Sequence, residues 1–183
     1  MASILNVDKI RATGSTTDAV TIASGGIITQ PKLPFFMVNL SADQSGIADN
    51  TETVIQFNNR LEDPDSLWDT SNYRLTVDAN TKGYWWVHTN IYTNGTNNIE
   101  NARMQFRVNG TGVVQTLGAV RQAGGGSTST TEAVYSFSGI VDLTTSGDYF
   151  DVTINTDISS GGTSTVNETG PFTRTYVCGH RLR

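Results

Sequence analysis

One cysteine and two histidines are the residues of this chain best suited to nucleophilic chemistry, and Cys178 and His180 lie two positions apart. Residues two apart on a strand point to the same side, so a contact between a thiolate and an imidazole is possible there. However, only Gly179 separates them, no third residue is identified to orient the imidazole, and neither histidine lies near a G-x-S-x-G motif. We therefore interpret Cys178 as a small core residue and predict no catalytic residues and no enzyme.

Four carboxylates are clustered in "LEDPDSLWD", residues 61–69, a stretch that we predict to be a loop. Hard oxygen ligands gathered in this way can hold calcium, and Asp63, Asp65 and Asp69 are the ligands that we predict. The spacing does not match an EF-hand, and an acidic turn in water needs no metal, so a solvated turn is the alternative. The sequence indicates no other cofactor.

Aromatic residues near polar loops form a third candidate site. Sugars stack on exposed aromatic rings and hydrogen-bond to Asn, Asp and Thr, which are frequent at residues 62–72 and 92–101. Trp68, Tyr73 and Tyr92 are therefore the candidate glycan-binding residues. The alternative, which we favour for Trp68, is that its ring closes one end of the fold.

Composition excludes several classes of protein. The chain has 183 residues and a net charge of -5, with its few Lys and Arg residues scattered, so we predict one main domain and no nucleic-acid binding. No apolar run approaches the roughly 20 residues that a membrane span needs, and the start of the chain lacks the features of a secretory signal, so we expect a soluble protein made inside the cell. A single cysteine excludes an internal disulfide framework.

Alternating polar and apolar residues are the main structural signal, and no stretch has sustained helical periodicity. From Pro34 onward the alternation predicts an antiparallel, all-β sandwich of about eight to ten strands. It includes a hairpin turn at Asn109-Gly110 and polar glycine-rich loops at 122–132 and 159–170. Residues 1–33 contain strands too short to bury a core alone. They would be stable if several copies wound together, or if they packed as an arm against their own domain.

The run "GYWWVHTNIY", residues 83–92, carries two adjacent tryptophans. A pleated strand sends neighbouring side chains to opposite faces, so Trp85 should enter the core with Val87 and Ile91. Tyr84, Trp86 and His88 should then lie on the outer face. Because an exposed aromatic patch of this size is unusual, we predict that these three residues form a subunit interface.

Several segments in order resemble the jelly-roll heads of tumour necrosis factor and complement component one q. They are "PFFMVNL", "SLWDTSNYRLTV", "TKGYWWVHTNI", "RVNGTG" and "VDLTTSGDYFDVTI", and the ending "TYVCGHRLR" is a looser match. The resemblance spans about residues 34–183. It implies a jelly roll that assembles as a homotrimer around aromatic residues on one sheet face.

The leader "SILNVDKIRATGSTTDAVTIASGGIITQP" resembles the beginnings of virion appendage proteins of tailed phages. This second resemblance implies a non-enzymatic structural protein located in the virion and made in the host cytoplasm, either a trimeric capsid decoration or a short fibre. Residues 1–33 would attach the head to other virion proteins or form a stalk. The alternatives are a head that binds host-surface carbohydrate, and a non-viral soluble trimeric binding module. No collagen-like repeat precedes the head.

Overall fold

The computed structural model of the chain describes residues 9–10, 13, 20–22, 24, 28–29, 33–118, 132–168 and 175–182, with the backbone alone at 28–29 and 113–118. The chain divides into two units, Met1–Pro34 and Phe35–Arg183. The predicted boundary between residues 33 and 34 lies one residue before this division. None of the described residues lies in a helix of the length and apolarity that a membrane crossing requires.

The first unit contains a small antiparallel sheet in the order β1-β2-β3. Its strands are β1 (Lys9–Ile10), β2 (Val20–Ile22) and β3 (Ile28–Thr29). Strands of two or three residues offer few apolar positions, and the side chains of Ile10 and Ile22 are exposed in the single chain. Whether several copies wind together remains a prediction.

The second unit, which we call the head, contains thirteen described strands, more than the eight to ten predicted. The additional strands are mostly short edge pieces of two to five residues. The strands are β4 (Phe35–Asn39), β5 (Gln44–Ala48), β6 (Thr53–Val54), β7 (Asn59–Glu62), β8 (Trp68–Asp69), β9 (Arg74–Thr76), β10 (Gly83–Gly95), β11 (Ile99–Val108), β12 (Thr111–Gly118), β13 (Glu132–Leu143), β14 (Tyr149–Ile158), β15 (Thr163–Asn167) and β16 (Tyr176–Arg181).

These strands form two antiparallel sheets. The first sheet has the order β5-β15-β10-β16-β4-β7, with β13 paired to β10, and the second has the order β12-β11-β14-β9-β8, with β6 paired to β14. Residues 144–148 carry the chain from β13 in the first sheet to β14 in the second. This crossing between sheets is typical of a jelly roll, so the predicted all-β antiparallel class is confirmed.

The core lies between the two sheets and is centred on aromatic rings. The Trp68 ring stacks on Phe36 at a centroid distance of 5.2 Å and meets Phe57 and Phe150 edge-on at 6.1 and 6.2 Å. Its indole Nε1–H donates a 2.8 Å hydrogen bond to the carbonyl of Phe57, which satisfies the polar group inside the core.

Several local predictions can be compared with the structure. The hairpin at Asn109-Gly110 is confirmed, since both residues have positive φ and connect β11 to β12. The loop predicted at 159–170 instead contains β15. This strand is polar except for Val166, which is buried. The glycine-rich loop predicted at 122–132 lies outside the described residues, apart from Glu132 at the start of β13.

Candidate functional site

The strongest candidate surface is the outer face of the first sheet, centred on β10. Trp85, Val87 and Ile91 are fully buried in the core, whereas Tyr84, Trp86 and His88 point to the opposite side and are half-buried. The predicted division of the two tryptophans between the core and the outer face is therefore confirmed.

Strand register aligns the residues of this outer face into rows. In the first row Ile140, Trp86, His180 and Phe35 lie side by side on β13, β10, β16 and β4. In the second row the same strands contribute Ser138, His88, Cys178 and Met37. We call the following set the aromatic face: Phe35, Met37, Tyr84, Trp86, His88, Ile140, Tyr176, Cys178 and His180.

The rings of the aromatic face pack on one another. Trp86 stacks on His88 with an interplanar angle of 7° and a centroid distance of 6.0 Å, and it contacts His180 at 5.4 Å. His88 contacts Tyr176 at 5.7 Å, and its Nδ1 is 2.9 Å from the hydroxyl of Ser138. Both histidines of the chain therefore lie against the same tryptophan.

Cys178 lies on the aromatic face, which corrects its interpretation as a core residue. The side chains of Thr175 and Val177 point into the core, so the pleat of β16 turns Tyr176, Cys178 and His180 outward. Burial raises the pKa of the Cys178 thiol. Because only the thiolate is a good nucleophile, this environment does not favour nucleophilic catalysis.

Two apolar side chains at the ends of the first row remain exposed. Ile140 is 57% exposed and Phe35 is 41% exposed, although both adjoin half-buried aromatic rings. Between Phe35, Met37, Trp86, Cys178 and His180 the face encloses a shallow pocket of about 270 Å³. Exposed apolar surface of this kind marks an interaction site.

A second candidate is a wider, polar groove of about 670 Å³ at the end of the head where β8 and β9 meet. The Arg74 guanidinium lies 4.3 Å above the Tyr149 ring in this region, and Arg74 has no ion-pair partner among the described residues. Arg60 donates from Nε to the carbonyl of Trp68 at 3.0 Å. Lining residues include Arg60, Asp65, Ser71, Arg74, Asp78 and Thr81.

Neither a protein-family model nor a curated protein sequence matches this chain. Among solved structures, the globular domain of zebrafish complement 1qA protein matches with a TM-score of 0.53 at 13% identity, over 82% of this chain and 98% of that one. Murine APRIL matches with a TM-score of 0.56 at 10% identity, over 82% and 100% of the two chains. Eiger TNF from S. frugiperda matches with a TM-score of 0.50 at 11% identity, over 82% and 94%.

The head is a jelly roll of this type. The similarity at these identities is one of fold. Within the jelly roll, the aromatic face is formed by β4, β16, β10 and β13, the outer surface of one sheet, and the polar groove lies at one end of the other sheet.

Two of the predicted sugar-stacking residues are unavailable because they are buried. Trp68 is fully buried because its ring packs on the aromatic core, and Tyr92 is 7% exposed on the outer side of β10. This corrects the prediction for both residues. Tyr73 is half-buried at positive φ, just before β9 rather than within a strand.

The three predicted calcium ligands do not form one site in the jelly roll. The Asp63 side chain is fully buried, and its oxygens accept the N–H groups of Leu67 and Trp68 at 2.8 and 3.0 Å. Asp69 instead accepts hydrogen bonds from Asn72 and Ser71, which lower its pKa. Among the described residues no three His, Cys, Asp or Glu side chains are grouped to hold a metal ion, which corrects the ligand set of Asp63, Asp65 and Asp69.

Sequence reasoning found the β10 residues of the aromatic face and missed its flanks. In "AVYSFSGIVDL" the positions of Val134, Ser136, Ser138 and Ile140 form the polar side of an alternating strand. Ile140 is therefore an apolar residue on a polar side, a signal that could have been noticed. Its position beside Trp86 depends on strand register, which the sequence does not encode locally.

Proposed function

We propose that the head is a non-enzymatic binding module that associates into a homotrimer through the aromatic face. The observation that carries this proposal is the row of Ile140, Trp86, His180 and Phe35 across four strands. An apolar row of this length is costly in water and stabilising when a second copy covers it.

The energetics favour association. Fully burying a large apolar side chain contributes about 1.5–3 kcal/mol, and several residues of the aromatic face are only half-buried in the single chain. A closed ring of three copies has three identical contacts. The free energy gained by burying any one residue of the face is therefore gained three times per assembly. Homotrimers are also what the resemblance to the tumour necrosis factor and complement heads implies.

Introducing a charge tests this proposal. Trp86→Glu places a carboxylate in the middle of the aromatic face and should convert the trimer into monomers, as measured by size-exclusion chromatography with light scattering. Tyr149→Glu is the matched control, since Tyr149 is a half-buried aromatic on the second sheet, and it should remain trimeric. Trimers that persist in folded Trp86→Glu would refute the role of this face.

We further propose that the trimer is a virion appendage of a tailed phage, either a capsid decoration or a short fibre, attached through residues 1–33. The sequence resemblance of the leader supports this role, and so do the exposed Ile10 and Ile22 of the small sheet. Immuno-electron microscopy of particles with antibody against the head should label the capsid or the tail. Unlabelled particles, with a coding region far from capsid and tail genes, would instead favour a non-viral binding module.

Carbohydrate recognition is the second candidate function, and the polar groove is the observation that favours it. The groove offers guanidinium donors from Arg60 and Arg74 beside hydroxyl and carboxylate groups, a combination suited to sugar hydroxyls. A glycan array with the wild-type chain should give a reproducible signal that Arg74→Met abolishes. Asp142→Asn, a change of charge on the first sheet, should leave that signal unchanged. A blank array would eliminate this candidate.

A further inference from the structure

A closed ring of identical copies joins two different patches of each protomer, since every contact is head-to-tail. The aromatic face carries two such patches at opposite ends of its first row: a pocket beside Phe35 and the exposed side chain of Ile140. We propose that Ile140 of each copy inserts into the pocket of the next copy, beside Cys178. This inference rests on the proposed homotrimer and specifies its contact.

The pocket suits an aliphatic side chain. Its walls are mainly the side chains of Phe35, Met37, Trp86 and Cys178, and its volume is about 270 Å³. Gly179 contributes only backbone to the lining, because a Cβ there would point toward the core residues Phe36 and Val87. An apolar cavity of this kind is stabilised when an apolar group fills it.

Ile140 is the side chain best placed to fill it. β13 pairs with β10 alone among the described strands, so it is an edge strand and no other described strand pairs with its free edge. Ile140 is 57% exposed there and lies across from Trp86. The side chain therefore stands on the outer face of an edge strand, where a second copy can reach it.

The occupant of the pocket is a second copy of the chain, since the proposed homotrimer brings one against this face. Glu62 lines the pocket and is exposed, so its carboxylate can remain in water at the rim of such a contact.

The native cysteine makes this contact directly testable. In Ile140→Cys, oxidation with copper phenanthroline in air should join the new thiol to Cys178 of the next copy. Within one chain β10 lies between β13 and β16, so two strand spacings keep the two Cα atoms about 10 Å apart. A disulfide needs Cα atoms within about 7 Å, so a link within one chain is excluded.

The expected result is a ladder on non-reducing gels that ends at a covalent trimer. Val134→Cys is the matched control, because Val134 has similar exposure on the same side of β13 but lies six residues, about 20 Å, away. It should give no ladder, and neither should Ile140→Cys combined with Cys178→Ser. Wild type has one cysteine per chain and can be linked at most into pairs.

Three outcomes would overturn the inference. Covalent dimers alone would indicate a two-fold contact, and products larger than trimers would indicate an open filament. The third is an Ile140→Cys chain that is trimeric by sedimentation but gives no ladder, which would refute the pocket contact while leaving the trimer intact. A monomeric wild-type chain would refute the proposed function as well, so the two failures are distinguishable.

Discussion

Truncating Ile140 to alanine should weaken the trimer far more than it destabilises the isolated head. The substitution removes three carbons, worth about 2.4 kcal/mol if they pass fully from water into an apolar contact. Because the side chain is 57% exposed in the single head, about 1.4 kcal/mol of this remains to be gained on association. Three copies per ring give about 4 kcal/mol, or about 1,000-fold in the trimer dissociation constant.

Sedimentation equilibrium at several loading concentrations measures that constant. Urea unfolding at a concentration low enough to give monomers should show that the free energy of unfolding of the head falls by only about 1 kcal/mol, the part of the total that the single head already gains. Tyr149→Ala serves as the control on the second sheet, where association should be unchanged. A dissociation constant for Ile140→Ala within about threefold of wild type would refute the assignment of this residue to the interface.

Three further substitutions test the packing of the head. Arg107→Ala removes both hydrogen bonds to the buried Asp151 carboxylate, at 2.7 and 2.8 Å, and should lower the free energy of unfolding in urea by about 3 kcal/mol. Tyr135→Phe removes a buried hydroxyl that has no hydrogen-bond partner among the described residues, and should raise that free energy by about 1 kcal/mol. Gly179→Ala would place a Cβ 2.7 Å from the carbonyl oxygen of Trp86, and should lower the melting temperature through overpacking worth about 1–3 kcal/mol.

Two of these substitutions have a further check. Arg103→Ala is the control for Arg107→Ala, because Arg103 is 41% exposed and its ion pair to Glu52 is 3.5 Å long. It should lower the free energy of unfolding by less than about 1 kcal/mol. Burial raises the pKa of Tyr135 to about 12. The folded state thus holds this proton more tightly than the unfolded state, whose tyrosine pKa is about 10. The protonated Tyr135 therefore contributes to the free energy of unfolding below about pH 10, and this contribution is lost as the pH rises toward 12. Tyr135→Phe should abolish that pH-dependent loss.

The sequence predicted the fold where apolar residues alternate strictly and failed where they do not. In β10 the alternation is unbroken, so the core position of Trp85 and the outer position of Trp86 were both predictable. In β15 only Val166 supplies an apolar contact, and a polar strand cannot be told from a polar loop by composition.

The candidate sites were harder to predict because the same residue types serve two purposes. Asp63 is equally suited to binding a cation and to accepting backbone N–H groups, and only the folded loop shows that it does the second. Trp68 is suited to a sugar platform and to an aromatic core, and its partners come from distant strands. The pocket of the aromatic face likewise depends on register between β4, β16 and β10, which local sequence does not specify.

Sedimentation equilibrium of the full wild-type chain at micromolar concentration tests the self-association of the aromatic face most directly. The expected result is a single species with three times the 19.8 kDa mass of the chain, which dissociates in Trp86→Glu. A single species of 19.8 kDa at that concentration would contradict the proposed role of the aromatic face.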